Sequence, residues 1–145
     1  MSTAESLGTP GTPKSLPLIL ARELASHLAT PMFLLDTRGV LVYYNDAAAL
    51  LIGKPLSEMG EIPSADFFEA LKLTSPEGEP VKVRDTAAGI AFFEHRPAHV
   101  RLIATAYDGV RRDVHATAYP LFASNGEMHG VVSVFWEHMS AEASA

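Results

Sequence analysis

Six histidines and no cysteine set the chemical repertoire of this chain. His95 and His99 stand four apart, the interval that puts two imidazoles on one helix face and lets them share a metal ion. Pro97 falls between them and breaks that helix, so the pair reads as loop and strand edge, and no metal site is expected. The absence of cysteine removes disulfides, thiolate ligands and thiol nucleophiles together. No glycine-rich phosphate cradle, nucleophile elbow or paired-carboxylate motif occurs. The residues therefore point to binding rather than to catalysis, and the chain is read as a non-enzyme.

Binding needs elements to build a pocket, and the composition allows them. With 145 residues, 48% of them apolar and 19% charged, the chain has the size and the apolar content of one domain with a real core. A net charge of -6 disfavours a phosphate-neutralising surface, so no nucleic-acid partner is expected. The basic pair Arg111-Arg112 reads as a solvated hairpin edge. The longest apolar runs, such as Ala87 to Phe93, fall far short of the roughly 20 residues that span a bilayer. No basic start followed by an apolar run marks a signal peptide, and the expected location is cytoplasmic.

Residues 1–16, rich in Ser, Thr, Gly and Pro, read as a disordered arm, and 140–145 as a tail. Residues 17–30 read as an N-terminal cap helix. Within it Leu20, Leu24 and Leu28 recur every four positions from Leu18 to Ala29, ahead of a stop at Thr30-Pro31. Met32 to Leu35 and Val40 to Tyr44, either side of Asp36-Thr37-Arg38-Gly39, make a β-hairpin. Asn45 is placed to cap a helix from Ala47 to Ile52, which Gly53 ends. Further on, Ser64 is read as the cap of a helix carrying Phe67, Phe68 and Leu71. Asp85 is read as the cap of one carrying Ala88, Ile90, Ala91 and Phe92 or Phe93. Ser75 to Pro80 is a loop between them.

The last third alternates clearly. His99 to Tyr107, Val110 to Phe122 and Met128 to Trp136 are strands separated by Asp108-Gly109 and Asn125-Gly126, which predicts a three-stranded antiparallel meander. Pairing Val100 with Ala116 and Leu102 with Val114 keeps the apolar side chains on one face. The same register sets His115 opposite Arg101 on the face away from Val114.

In this order the elements resemble the PAS family of sensory domains. The likeness is carried by Phe33 to Ala48, which is similar to the family's opening hairpin and Asn-capped helix, by Tyr107-Asp108-Gly109-Val110, and by Asn125-Gly126-Glu127 leading to Gly130 to Phe135. It spans about residues 18–139, with 31–139 as the PAS-like domain. The resemblance implies an α+β fold: a five-stranded antiparallel sheet in order 2-1-5-4-3, helices on one face enclosing a pocket, and an N-terminal amphipathic helix. That pocket is expected to be framed by Phe67, Phe68, Leu71, Ile90, Phe92, Phe93, Leu102 and Val132, with Tyr43, Tyr44 and Tyr119 as polar handles.

Family cofactors can be tested against these positions. Flavin adducts and thiol-linked chromophores need a cysteine, which is lacking, and haem-binding relatives use a histidine on or before the long middle helix. From Glu77 to Phe93 there is none, so no cofactor is expected. The resemblance implies a sensory module acting on a partner protein, pairing as a homodimer through Leu20, Leu24 and Leu28 and taking an apolar ligand if its pocket is open. Since the sequence stops soon after the last strand, it reads as free-standing or as an excised input domain. The alternatives are a small cone-shaped α+β enzyme of the ketosteroid-isomerase type, a haem-binding gas or redox sensor, and an adaptor with a filled core. The early hairpin and the single meander carboxylate, Asp113, disfavour the enzyme.

Overall fold

The computed structural model describes residues 16–139. The expected arm, apart from Leu16, and the tail lie outside the described residues. Helix α1 (Leu16–Ala25) is followed by strands β1 (Met32–Leu35) and β2 (Val40–Tyr44), and then by helices α2 (Asp46–Ile52) and α3 (Leu56–Met59). A two-residue strand β3 (Ile62–Pro63), helix α4 (Ser64–Ala70), a 3-10 turn (Val83–Asp85) and helix α5 (Ala87–Glu94) come next. Strands β4 (Ala98–Thr105), β5 (Arg111–Phe122) and β6 (Met128–Glu137) complete the sheet, whose order is β3-β2-β1-β6-β5-β4. Removing the short edge strand β3 leaves the expected five-stranded order.

The meander register is the expected one, with Val100 opposite Ala116, Leu102 opposite Val114 and Arg101 opposite His115. The first hairpin is pinned by Asp36, whose Oδ1 accepts the Arg38 and Val40 amides while Oδ2 accepts two hydrogen bonds from the Arg38 guanidinium. These bonds give the Arg38 and Val40 amides of the turn a side-chain partner.

Strand β1 is buried along its whole length because each of its faces meets a different core. Phe33 and Leu35 point into the main core with Phe67, Phe68, Leu102 and Phe135. Met32 and Leu34 point the other way, into a smaller core with Leu18, Ala25 and Val132 under α1. Helix α1 thus covers one side of the sheet, and α5 lies on the other side across β4, β5 and β6.

Asn45 ties the two layers together. Its Oδ1 accepts the Ala48 amide, capping α2 as expected, and also the Met32 amide at the start of β1. Its Nδ2 donates to the Ala25 and Thr30 carbonyls at 3.1 and 2.8 Å, and to Leu28 O at 3.4 Å. This explains why α1 stops at Ala25 rather than near Thr30. The Ala25 carbonyl is taken by the Asn45 amide and by the Leu28 N–H, so the chain closes in a tight turn and Leu28 lies beyond the helix.

Two further caps differ from expectation. Helix α4 begins at Ser64 itself, with Pro63 at the cap position and no side-chain bond. Helix α5 is capped by Thr86, whose hydroxyl accepts the Gly89 amide and donates to the Val83 carbonyl. Asp85 is left in the 3-10 turn, because the turn brings Val83 O under the helix start and only the next residue reaches it.

Candidate functional site

The strongest candidate is a pocket between the sheet and the helices. Its walls come from β1 (Phe33), α2 (Leu51, Ile52), α4 and the chain after it (Phe67, Phe68, Leu71, Leu73) and the start of α5 (Thr86, Ala87, Ala88). The inward positions of β4 and β5 add Leu102, Ala104, Val114 and Ala116, and β6 adds Ser133 and Phe135. The cavity measures about 70 Å³. It exists because alanines stand at facing positions of α5, β4 and β5, where larger aliphatic side chains would fill the space. Phe33 meets Phe67, Phe68 and Phe135 at ring separations of 5.8, 6.0 and 5.9 Å and forms its aromatic floor.

Few polar atoms reach this lining. The Thr86 hydroxyl is committed to its cap. Arg112 lies at the rim, donates to the Leu51 carbonyl, and has its charge met by Glu137 at 3.4 Å and Asp108 at 3.8 Å. It is half-buried rather than the solvated hairpin residue expected; Arg111 beside it is exposed. The Ser133 hydroxyl is fully buried and has no partner. Among the described residues no carboxylate side chain lines the pocket.

Four of the eight residues expected to frame the pocket, Phe67, Phe68, Leu71 and Leu102, line it; the other four and the three tyrosine handles do not. Val132 points to the opposite side of the sheet, under α1, because its neighbours Val131 and Ser133 take the inward positions. Phe92 and Phe93 flank a separate surface cleft with Arg38, Gly39 and Ser64. Phe93 is 46% exposed and carries the Arg84 guanidinium over its ring at 4.1 Å. Ile90 is half-buried outside the lining. Tyr44 is in the core, but its hydroxyl donates to the Lys54 carbonyl at 2.5 Å, and burial pushes its pKa up to about 12. Tyr43 packs under α1, where the Arg22 guanidinium lies over its ring, and Tyr119 is exposed, so neither is a polar handle of the pocket.

On the opposite side of the sheet lies an assembly that residue spacing did not reveal. His99 on β4, His115 on β5 and His138 just past β6 form a hydrogen-bonded row, Nε2 of His99 to Nδ1 of His115 at 3.0 Å and Nε2 of His115 to Nδ1 of His138 at 2.9 Å. Thr117 Oγ1 meets His99 Nδ1 at 2.8 Å, and Trp136 stacks on His115 at 5.7 Å. Beside the row Asp113 accepts two bonds from Arg101, which hold its carboxyl below the usual range. The His115 pKa is lowered, first by desolvation and then by the neighbouring His99, His138 and Arg101. The two nitrogens of His115 face opposite ways, and among the described residues no three histidine or carboxylate groups converge on one point to hold a metal. His95 stands apart, at the left-handed end of α5.

The profile of the PAS fold family matches residues 20–136 of the sequence. The chain belongs to the PAS family. Solved PAS domains superpose on it over most of its length. The domain of BvgS from Bordetella pertussis shares 18% identity, covers 86% of this chain and 88% of its own, and gives a TM-score of 0.57. That of nitrogen regulation protein NR(II) from Vibrio parahaemolyticus shares 14%, with coverages of 86% and 100% and a TM-score of 0.57. The domain of the fruit-fly ELK potassium channel shares 13%, with coverages of 86% and 98% and a TM-score of 0.65. At these identities the likeness is one of fold. No curated protein matches the sequence. Among the described residues no helix is long and apolar enough to cross a membrane.

Proposed function

We propose that this PAS domain is a cytoplasmic sensory and signal-transduction module that acts by protein–protein interaction and takes a small apolar ligand in its inner pocket. The observation that carries the reading is the apolar cavity, kept open by Ala87, Ala88, Ala104 and Ala116 inside a family fold built for sensing. A pocket with no carboxylate, no histidine and a charge-balanced arginine supports binding without catalysis. Domains of this shape occur in proteins as different as a nitrogen regulation protein and a potassium channel, a breadth that suits a module passing its state to a partner.

The pocket reading is tested by native mass spectrometry and an absorption spectrum of the purified protein. The expected result is a non-covalent added mass without a haem band, and loss of that mass in Ala116→Leu, whose extra carbons occupy the cavity. A wild-type protein without added mass, or an unchanged ligand in the variant, refutes it.

Pairing with a second copy is assigned to α1. Its inner residues Leu18 and Ala25 are buried on the sheet, while Leu20 and Leu24 are each 58% exposed on the far side. Leu28, 38% exposed, continues the patch from the turn after the helix. An exposed stripe of this kind on a short helix is stabilised by burial against another apolar surface. Leu24→Glu should convert a dimer to a folded monomer by light scattering, since its side chain contributes nothing to the small core beneath. A dimer that persists in the variant, or a wild-type monomer, rules out this interface.

A further inference from the structure

The inward row of β6 runs Val131, Ser133, Phe135, and the middle position is the anomaly. Ser133 is 0% exposed, and its partners across the ladder are Phe33 on β1 and Ala118 on β5, neither of which offers a polar side-chain atom. Its hydroxyl lines the pocket and is unpartnered. A hydroxyl buried without a partner is destabilising, and a methyl or hydrogen at this position would avoid that penalty while filling the strand equally well.

A buried water is the ordinary remedy, but a well-held water needs two to four polar partners. Among the pocket-lining side chains, Thr86 and Arg112 have their polar groups engaged, so Ser133 alone has a hydroxyl to offer. A water there would face Ser133 on one side and phenylalanine and alanine on the others. A group with one polar atom and an apolar remainder matches that lining on every side. The size of the space bounds it further. An engineered cavity of about 150 Å³ admits benzene, and this one is about 70 Å³. The occupant is a body of a few non-hydrogen atoms unless the walls yield.

We propose that the pocket binds a small uncharged molecule, an alcohol or ketone with a short apolar body, and that Ser133 Oγ anchors its single oxygen. This rests on the reading of the cavity as a ligand chamber and names the chemical class that the chamber selects. Arg112 does not alter it, because its charge is balanced at the rim by Glu137 and Asp108 rather than presented to the interior.

The test uses two probes on the described protein, xenon for an apolar body alone and 1-propanol for an apolar body with one oxygen, each titrated while the amide and methyl resonances of the pocket lining are followed by NMR. In the wild type both should perturb Ala87, Ala104 and Ser133. In Ser133→Ala, xenon binding should persist while 1-propanol weakens about tenfold, the loss expected for one hydrogen bond in a dry site. Without ligand, Ser133→Ala should also raise Tm, because an unpartnered hydroxyl is removed. If xenon does not enter the wild type, the chamber reading itself fails. If xenon enters but 1-propanol binds the variant as well as the wild type, the chamber stands and the Ser133 anchor is overturned. A lower Tm in Ser133→Ala overturns it too, since the hydroxyl would then have a structural partner.

Discussion

Asn45→Asp should destabilise the domain by about 3 to 5 kcal/mol at neutral pH, although it changes one side-chain nitrogen to oxygen. The substitution keeps the oxygen that accepts the Met32 and Ala48 amides, so the cap of α2 and the entry of β1 survive. What it removes is the donor half. An ionised carboxylate oxygen would face the Ala25 and Thr30 carbonyls, where the amide now donates at 3.1 and 2.8 Å. Asn45 is 3% exposed, and solvent cannot rescue the charge. Urea unfolding at pH 7 measures the loss. Because the damage falls on the link to α1, limited proteolysis should cut between Ala25 and Pro31 before the rest of the domain opens. A loss below about 1 kcal/mol would contradict the assignment, since a buried donor lost without compensation costs at least that.

Gly89→Ala should also be strongly destabilising, by about 2 to 4 kcal/mol, with a sign opposite to the usual rule. Inside a helix, alanine is normally better than glycine by roughly 1 kcal/mol. Here a Cβ on Gly89 would sit 1.9 Å from the Val83 carbonyl oxygen and 2.8 Å from its carbon, both backbone atoms of the 3-10 turn. Neither can swing aside as a flexible side chain would, so the turn and the helix must part. That separation also breaks the Thr86 cap, and with it the placement of Thr86, Ala87 and Ala88 on the pocket wall. Thermal unfolding of the variant gives the stability, and loss of any retained ligand gives the coupling to the pocket. A variant as stable as the wild type would mean that the turn and helix approach less closely than described.

Both positions illustrate which parts of the molecule a sequence discloses. Local chemistry is legible: Asn45 follows a strand and precedes an apolar helix, and its capping role follows from that alone. The second half of its work, reaching back to Ala25 and Thr30, depends on a fold that brings residues fifteen to twenty positions away into contact. The meander register could be read because a slip of one residue would set Leu102 against His115 and part it from Val114, placing the two apolar side chains on opposite faces. Helix α5 shows the opposite case. Its apolar residues run nearly all round, so periodicity could not say which of Ile90, Phe92 and Phe93 enter the pocket, and none does. The pocket is defined by where side chains are small, and an alanine in a sequence gives no sign of what it leaves unfilled. Val132 and Ser133 are neighbours that face opposite cores, and on a strand buried on both sides alternation carries no label for inside or outside.

The histidine row has a property that single histidines lack. A neutral imidazole offers one N–H and one lone pair, so a chain of them has a sense: His99, His115 and His138 must all donate in the same direction along it, and reversing one ring's tautomer reverses the others. A protonated His115 would donate from both of its nitrogens, but desolvation and its neighbours lower its pKa and favour the neutral ring, which keeps one donor and one acceptor in the row. The row therefore has a polarity, set by the direction in which its hydrogen bonds run. Together with the bond that the His138 backbone N–H donates to the Asp113 carbonyl, at 2.7 Å, the link to His138 fastens the chain to β5 just after β6 ends.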